Sequence, residues 1–422
     1  MNCRTTTVRS IMYLTWTCGI LGGILSGIFD FSLIAQGQTD TDTRSNFGTA
    51  DNSKKQSHPE IKKGVDRRMP VEVSPTAIQI HQAGMLFDGH NDLPWKVRRL
   101  ADSTFKDFDI RQPQPRVETD IPRLIQGGVK AQFWSVYVPV ETRAQKAALL
   151  TTMEQIDLVH LMCQTYPDVF EIALTVADIE RIVAENKIAS LIGVEGGHSI
   201  ENSLANLKRL YDRGARYMTL THSKNTEWAD SATDQAEHGG LNEMGREIVK
   251  EMNRLGMLVD ISHVSEAVME QVLEMSKSPV IFSHSSAKAI NSHPRNVPDA
   301  ILKRLPENGG VVMVNFMSGF IVPDAQLEQN RRARGTIHDV MDHIEHIIQV
   351  AGIDHVGIGS DFDGVSSLPI GLDDVSYYPA ITQLMLERGY SAADVHKLLG
   401  ENVMRAFRQC EQVAAQLQEK NR

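Results

Sequence analysis

The sequence contains few cysteines and no excess of basic residues. Four cysteines occur in 422 residues, and Cys3 and Cys18 fall in an apolar N-terminal segment, so only Cys163 and Cys410 remain for the globular part. Two cysteines do not make a disulfide framework. Lysine and arginine number 43 against 53 aspartates and glutamates, and the resulting net charge of −10 argues against a nucleic-acid backbone as binding partner.

The N-terminal part of the chain differs in composition from the rest. Two arginines precede an uncharged run over residues 10–29, and such a run predicts an export signal or an N-terminal membrane anchor in residues 1–37. Residues 38–75 are polar and lack apolar periodicity, which predicts a disordered linker. A single globular domain is therefore expected over residues 76–415.

Two further absences bear on location. The sequence has no Asn-x-Ser/Thr acceptor for N-glycosylation, and its C-terminus lacks the apolar tail that a glycolipid anchor requires. We therefore expect an exported protein of the bacterial periplasm or cell envelope, with a membrane-anchored or an extracellular protein as the alternatives.

From residue 84 onward, short apolar runs alternate with segments of helical period. Eight runs have the length and composition of strands, and they are MLFDGH, AQFWSVYVPV, ASLIGVEG, RYMTLTHS, MLVDISHV, PVIFSHS, GVVMVNF and HVGIGSD. The segments between them indicate amphipathic helices that end at a glycine, as at Gly214, Gly256 and Gly352. This alternation is typical of a parallel α/β fold, and the eight repeats predict a (β/α)8 TIM-type barrel.

Residues capable of chemistry lie at the ends of these candidate strands. In LFDGHNDLPW, His90 and Asp92 are two residues apart, and side chains at i and i+2 of a strand point to the same side. A turn would explain either residue alone. Other candidate strands end near one such residue each, and these residues are Glu195, His222, His263, His284 and Asp361. Because the active site of such a barrel lies at the C-terminal ends of its strands, the set indicates a metal site.

The donor types constrain the metal. Imidazole nitrogens and carboxylate oxygens without a thiolate suit zinc and tolerate manganese or cobalt. The expected ligands are too many for one open catalytic zinc, so two zinc ions are expected, and the ligands are His90, Asp92, Glu195, His263 and His284. Glu195 is the natural bridge, because its strand lies between the two groups of ligands. A water shared by the ions would lose a proton near neutral pH and act as the nucleophile.

Several long motifs carry a resemblance to a known family. The stretches LFDGHNDLPW, LIGVEGGHSIENSLANLKRLYDRGARYMTLTHSKNTEWADS, LVDISHVSEAVM, PVIFSHSSAKAINSHPRNVPD and HVGIGSDFDGV resemble the membrane dipeptidase (renal dipeptidase) family, the zinc peptidases of family M19, over residues 76–412. The resemblance implies a barrel of the metallo-dependent hydrolase type and a binuclear zinc dipeptidase that uses a metal-bridging hydroxide. It also implies the same metal ligands, with Glu195 as the bridge.

The resemblance assigns three further residues to the substrate. His222 corresponds to a donor to the substrate carbonyl oxygen and its oxyanion, and Arg295 corresponds to the residue that holds the free carboxylate of a dipeptide. Asp361 corresponds to the acid/base that takes the water proton and gives it to the leaving amine. Asp363 is a rival for that last role, because it lies two residues further along on the same face.

Recognition of the substrate at both ends predicts free dipeptides rather than proteins. In the family the second residue is of L or D configuration, some members open β-lactam rings, and homodimers are common, so we expect a homodimer here. Animal relatives have a cysteine where this chain has Lys224, so Cys163 is expected to lack a disulfide partner.

Two other functions stay open. A related amidohydrolase would act on N-acyl amino acids or β-lactams, although many such enzymes have His-x-His after the first strand, where this chain has His-Asn-Asp. A non-catalytic barrel binding protein would be favoured by loss of a ligand or of Asp361, and neither is lost.

The remaining histidines carry weaker signals. His338, His343 and His346 fall on one amphipathic helix, and we expect them on its exposed face. His198, three residues after Glu195, is either a hydrogen-bonding support of the site or an ordinary loop residue.

Overall fold

The computed structural model describes residues 66–420, in which nine strands form one sheet. The strands are β1 (Leu86–Asn91), β2 (Val129–Ser135), β3 (Phe170–Ile172), β4 (Ile188–Glu195), β5 (Ala215–Thr219), β6 (Leu258–Asp260), β7 (Val280–Phe282), β8 (Val311–Val314) and β9 (Val356–Ile358). All strand pairs are parallel.

All strands except β3 close into a barrel. The order around it is β1, β2, β4, β5, β6, β7, β8 and β9, and β9 pairs back with β1. The predicted (β/α)8 architecture is therefore confirmed. The additional strand β3 pairs with the first half of β4, whereas β5 pairs with the second half. The sequence did not predict β3, because three residues are too few to show a period.

Within residues 66–420, one helix precedes β1, and the others follow the strands. The helices are α1 (Pro75–Ala83), α2 (Leu93–Ala101), α3 (Ile121–Gln126), α4 (Ala148–Thr165), α5 (Val176–Ala184), α6 (Leu204–Asp212), α7 (Glu243–Leu255), α8 (Glu266–Met275), α9 (Asp299–Leu302), α10 (Leu305–Asn308), α11 (Ser318–Ile321), α12 (Asp324–Gln329), α13 (Ile337–Ala351), α14 (Tyr378–Glu387), α15 (Ala392–His396) and α16 (Asn402–Glu419).

The helix ends have local causes in the sequence. Thr175 and Thr336 each form a capping box with an aspartate three residues later, which satisfies backbone N–H groups at the starts of α5 and α13. The predicted stops are confirmed, since Gly214, Gly256 and Gly352 have φ angles of 109°, 83° and 95° after α6, α7 and α13. A residue with a Cβ is strained in that conformation.

Apolar side chains fill the barrel beneath its C-terminal rim. The rings of Phe87 and Phe133 stack with centroids 5.3 Å apart, and Phe133 meets Tyr217 at 4.7 Å. Leu191 and Met313 are fully buried in the same cluster. The barrel is thus a packed core and not a channel, and chemistry is confined to its rim.

The prediction of an exposed histidine face on α13 is wrong for His343. This residue is fully buried, its Nδ1 accepts from the Ala287 amide at 2.9 Å, and its Nε2 donates to the Ile321 carbonyl at 3.0 Å. Burial lowers the pKa of His343 to about 4, so the ring is neutral at pH 7. His338 and His346 are half-buried. The buried face of α13 is wider than its sequence period indicates, because the segments after β7 and β8, which contain Ala287 and Ile321, pack on it.

The described part of the chain begins inside the predicted linker. Arg67 donates to Asp339 at 2.9 Å and to Asp342 at 2.6 Å, both on α13, and Val71 and Val73 pack against the core. The predicted export segment, residues 1–37, and the linker up to residue 65 lie outside the described residues. Among the helices of residues 66–420, none has the length and hydropathy needed to span a membrane.

Candidate metal centre

The structure brings all predicted site residues to the C-terminal rim of the barrel. They are His90 in β1, Asp92 at the start of α2, Glu195 at the end of β4, His222 after β5, His263 after β6, His284 and Arg295 after β7, and Asp361 after β9. The most exposed of these side chains is that of His222, which keeps 21% of its accessible surface. Residues far apart in sequence meet here because parallel strands end at the same rim.

Glu195 lies at the centre of this group. Its Oε1 is 3.2 Å from Nε2 of His263, and it is 3.6 Å from Nε2 of both His284 and His222. Its Oε2 is 3.5 Å from Nε2 of His90. The two carboxylate oxygens therefore face different histidines, which is the arrangement that a bridging ligand needs.

Asp92 and Asp361 complete the side of the site that contains His90. Oδ2 of Asp92 is 3.1 Å from Nε2 of His90, and a carboxylate oxygen of Asp361 lies within 4.8 Å of donor atoms of both. Gly364 permits this approach, because a Cβ there would lie 2.2 Å from Oδ2 of Asp92 and 2.3 Å from Oδ1 of Asp361.

The donor atoms fit a cation on the side of His263 and His284. Ser283 Oγ donates to Asp260 at 2.6 Å, so its oxygen accepts the Nδ1–H of His284 at 2.8 Å. Nε2 of His284 is then unprotonated, and it lies 2.8 Å from Nε2 of His263. Burial lowers the pKa of both rings well below the usual range. Two neutral imidazoles beside the Glu195 carboxylate are a donor set suited to zinc.

Tyr217 supports His90 on the other side. The Tyr217 hydroxyl lies 2.8 Å from Nδ1 of His90, which leaves Nε2 of His90 facing Asp92 and Glu195. A Cβ at position 193 would lie 2.0 Å from the Tyr217 ring, so Gly193 makes room for this side chain. The two sides of the site thus differ in what orients their histidines.

We predict that Ser283→Ala weakens metal binding by about 10- to 100-fold, because it removes the hydrogen bond that sets the protonated nitrogen of His284. The measurement is competition for zinc against a chelator of known affinity. Ser278→Ala is the matched control, since Ser278 is also buried and its hydroxyl has no hydrogen-bond partner among the described residues. Equal zinc affinity in both variants would contradict this role for Ser283.

Asp361, rather than its rival Asp363, faces the donor atoms. Asn315 donates to Oδ2 of Asp361 at 2.8 Å, and the amide of Asp361 donates to the carbonyl of His90 at 3.1 Å. Burial raises the pKa of Asp361 to about 8; His90 opposes this rise, and the charges of Asp92 and Glu195 add to it. The carboxyl group of Asp363 instead accepts from the amide of Glu118 at 3.0 Å, outside the group of donors.

His222 and Arg295 line the same site with unused hydrogen-bonding atoms. Nδ1 of His222 and Nε of Arg295 are buried and have no partner among residues 66–420. Arg295 is held by Ser285 Oγ at 3.2 Å and by the His284 carbonyl at 3.1 Å. Burial lowers the pKa of Arg295 to about 10, so its guanidinium group stays charged at neutral pH. The ring of Tyr137 lies 5.0 Å from that of His222.

Sequence reasoning missed the residues that orient this site. They are Tyr217, Ser283, Asp260, Ser135 and Asn315. The Ser135 hydroxyl donates to Glu195 at 3.1 Å. The one available signal was that each is a polar or amphipathic residue in or next to an apolar strand run. His198 is an internal loop support, since its Nε2 lies 3.1 Å from the Val138 carbonyl.

A (β/α)8 barrel with imidazole and carboxylate donors gathered at its C-terminal rim is the arrangement of a metal-dependent hydrolase. Residues 75–421 match the model of the membrane dipeptidase family, peptidase family M19. The chain therefore belongs to this family, and it is a metallo-dipeptidase of the membrane dipeptidase type. The family resemblance predicted from the motifs is confirmed.

Individual relatives agree with this assignment. The chain is 42% identical over 344 residues to dipeptidase verJ of Clonostachys rogersoniana, which covers 79% of this chain and 86% of that protein. It is 43% identical over 333 residues to dipeptidase 3 of Mus musculus, which covers 78% of this chain but only 65% of the mouse protein. A crystal structure of a metallopeptidase from Rhodobacter sphaeroides, liganded with a phosphinate mimic of the dipeptide L-Ala-D-Ala, is 27% identical, with a TM-score of 0.68 over 77% of this chain and 99% of that one.

Proposed function

We propose that the chain is a binuclear zinc dipeptidase that hydrolyses free dipeptides. The observation that carries the proposal is the position of Glu195, whose two oxygens lie between His90 on one side and His263 with His284 on the other. His90 and Asp92 would hold one ion, His263 and His284 would hold the other, and Glu195 would bridge them. Zinc bound in this way would polarise the scissile carbonyl and lower the pKa of a water between the ions.

The protein's own side chains then have distinct tasks. His222 would donate a hydrogen bond to the carbonyl oxygen as negative charge develops on it, and its position at the accessible edge of the site, 3.6 Å from Glu195, supports this role. Asp361 would take the proton of the attacking water and deliver it to the leaving amine, and a pKa near 8 suits a group that must both accept and donate a proton at neutral pH.

Arg295 would define the C-terminal end of the substrate. Arg295 is 3% exposed, its guanidinium group donates to Ser285 and His284, and the carbon of that group lies 5.7 Å from the centre of the Phe320 ring. A buried, charged, planar group of this kind recognises a carboxylate through paired hydrogen bonds. Because the guanidinium group donates to the carbonyl of His284, itself a proposed ligand, the carboxylate would lie close to the metal ligands, and a free dipeptide fits better than a longer chain.

The test is hydrolysis of a panel of free dipeptides by the purified protein, before chelation, after chelation and after zinc is restored. An N-acetylated and a C-amidated form of the best dipeptide are included. Cleavage of the free forms only, lost and regained with the metal, supports the proposal. Cleavage of the blocked forms would favour an amidohydrolase acting on N-acyl amino acids, and no cleavage at all would favour a binding protein.

The panel also addresses stereochemistry and β-lactams. The Rhodobacter relative was crystallised with a mimic of a dipeptide whose second residue is D, which supports inclusion of L,L and L,D pairs here, and a β-lactam is added to test the alternative substrate class. We propose that both hands are accepted, since Arg295 would contact the carboxylate rather than the side chain. Discrimination of more than about 100-fold between the two hands would contradict this.

Export and self-association are separate proposals. Residues 1–37 would direct export and the following polar residues would tether the catalytic domain, and fractionation of cells that express the full chain tests both. The homodimer expected from the family is tested by light scattering of the purified protein. A cytoplasmic pool or a monomer at micromolar concentration would contradict the respective proposal.

A further inference from the structure

Asp361 and Asp363 lie on one short turn but point to different surroundings. Both adopt left-handed backbone conformations, with φ of 64° and 66°, which are uncommon for residues other than glycine. Asp361 faces the donor atoms of the site, whereas Asp363 faces the segment before α3, where its Oδ1 accepts from the Glu118 amide at 3.0 Å. A turn held in this conformation needs contacts that compensate its strain.

Asp363 has an acid as its neighbour. Its side chain is 2% exposed, and Oδ2 of Asp363 and Oε2 of Glu118 are both buried without a hydrogen-bond donor among the described residues. Burial raises the pKa of Asp363, a side-chain hydrogen bond with Glu118 and the charge of Glu118 raise it further, and a hydrogen bond from Thr119 opposes this rise. The Asp363 and Glu118 carboxyl groups are therefore in contact. In residues 66–420 no lysine or arginine forms an ion pair with Asp363, and the carboxylates of Asp361 and Asp92 lie beside the next residue, Gly364.

When two buried carboxyl groups are in contact and have no other hydrogen-bond donor, one proton between them supplies a hydrogen bond to both oxygens. The protonated acid donates and the ionised acid accepts, so one hydrogen bond replaces a repulsion between two buried charges. A single shared proton leaves the pair with one negative charge rather than two. No additional ligand is needed to explain the two oxygens.

The same segment is tied to both sides of the site. Thr119 accepts from Asn91 Nδ2 at 2.8 Å, and Asn91 stands between His90 and Asp92 in the chain. The Asp92 amide in turn donates to the carbonyl of Phe362 at 2.9 Å, and Phe362 stands between Asp361 and Asp363. Residues 118–119 thus connect the turn after β1 to the turn after β9.

We infer that Glu118 and Asp363 share one proton and act as positioning residues, which fix the turn that carries Asp361 relative to His90 and Asp92. The inference rests on the role proposed for Asp361 in dipeptide hydrolysis. A displacement of about 1 Å of a catalytic group costs about 100-fold in rate, so release of the turn should lower kcat. Substrate binding through Arg295 should be unaffected.

The test compares substitutions that keep the hydrogen bond with substitutions that remove it. Asp363→Asn and Glu118→Gln each place an amide donor opposite the remaining carboxylate, so kcat should stay within about 3-fold of the wild type. Asp363→Ala should lower kcat by about 10- to 100-fold with KM nearly unchanged. Glu118→Ala keeps the backbone amide that holds Asp363 and removes only the acid pair, so it remains informative if Asp363→Ala fails to fold, and it should lower kcat at least about 5-fold.

Stability gives a second readout that does not depend on dipeptidase activity. The two alanine substitutions should be strongly non-additive in urea unfolding, because each removes the same contact. If Asp363→Asn lowered kcat as much as Asp363→Ala, the shared proton would be ruled out, because the negative charge of Asp363 would then be required. A Glu118→Ala variant with full kcat, or additive alanine effects, would overturn the pairing. If the wild type did not hydrolyse dipeptides but the two alanine substitutions were non-additive in urea unfolding, the proposed function would be wrong and the pairing of Glu118 with Asp363 would still hold.

Discussion

Glu195→Gln is expected to abolish hydrolysis and to reduce the bound zinc from the proposed two ions per chain to one or fewer. The substitution keeps the size of the side chain but replaces one oxygen by an NH2 group, which cannot act as a ligand. Because Glu195 contacts histidines on both sides of the site, its loss affects both ions. The loss of several kcal/mol of charge stabilisation corresponds to a fall in kcat/KM of about 1,000-fold or more.

The measurement is elemental analysis of the zinc-loaded variant alongside its dipeptide kinetics. Glu411→Gln is the matched control, since this half-buried glutamate accepts from the Val176 amide at 2.9 Å, far from the rim, and should retain both zinc and activity. A Glu195→Gln protein that keeps two zinc ions and more than about a tenth of the wild-type kcat/KM would contradict the bridging role.

Asp361→Asn is expected to lower kcat by about 100- to 10,000-fold, the range for loss of a general acid/base. An asparagine still fits beside Asn315 and Gly364, so KM and the zinc content should remain close to those of the wild type. The amide acts neither as a base nor as an acid at neutral pH, so no side chain at this position would carry the proton from water to the leaving amine. Steady-state kinetics on the best dipeptide, with zinc analysis of the same sample, measure this.

Asp363→Asn is the internal control for that experiment. The two aspartates are two residues apart and undergo the same chemical change, but only Asp361 lies within reach of His90 and Asp92. If Asp363→Asn were the slower variant, the roles of the two aspartates would be exchanged. If neither variant changed kcat, the acid/base would have to be sought elsewhere in the site.

The features that depend on local pattern could be predicted from the sequence. Apolar runs of strand length predicted the barrel strands, and glycines such as Gly256 predicted the helix ends, because both depend on neighbouring residues only. The site residues could be predicted because parallel strands all end at one rim. His90 and Glu195 needed no pairing information to be placed on the same side of the barrel.

The features that depend on long-range packing could not be predicted. Tyr217 and Ser283 lie inside or directly after apolar runs, and nothing local shows that one reaches His90 and the other links His284 to Asp260. The burial of His343 is likewise caused by loops from other parts of the chain. The separate surroundings of Asp361 and Asp363 follow from their backbone conformation, which strand alternation does not describe.

The most direct test of the account is a zinc titration of the metal-free protein by calorimetry, with dipeptide hydrolysis measured at each addition. The account predicts two ions per chain and full hydrolysis only after the second ion binds. The two affinities should differ, because Tyr217 orients His90 whereas Ser283 and Asp260 orient His284. Saturation at a single ion with full activity, or full activity before any zinc is added, would contradict the binuclear site.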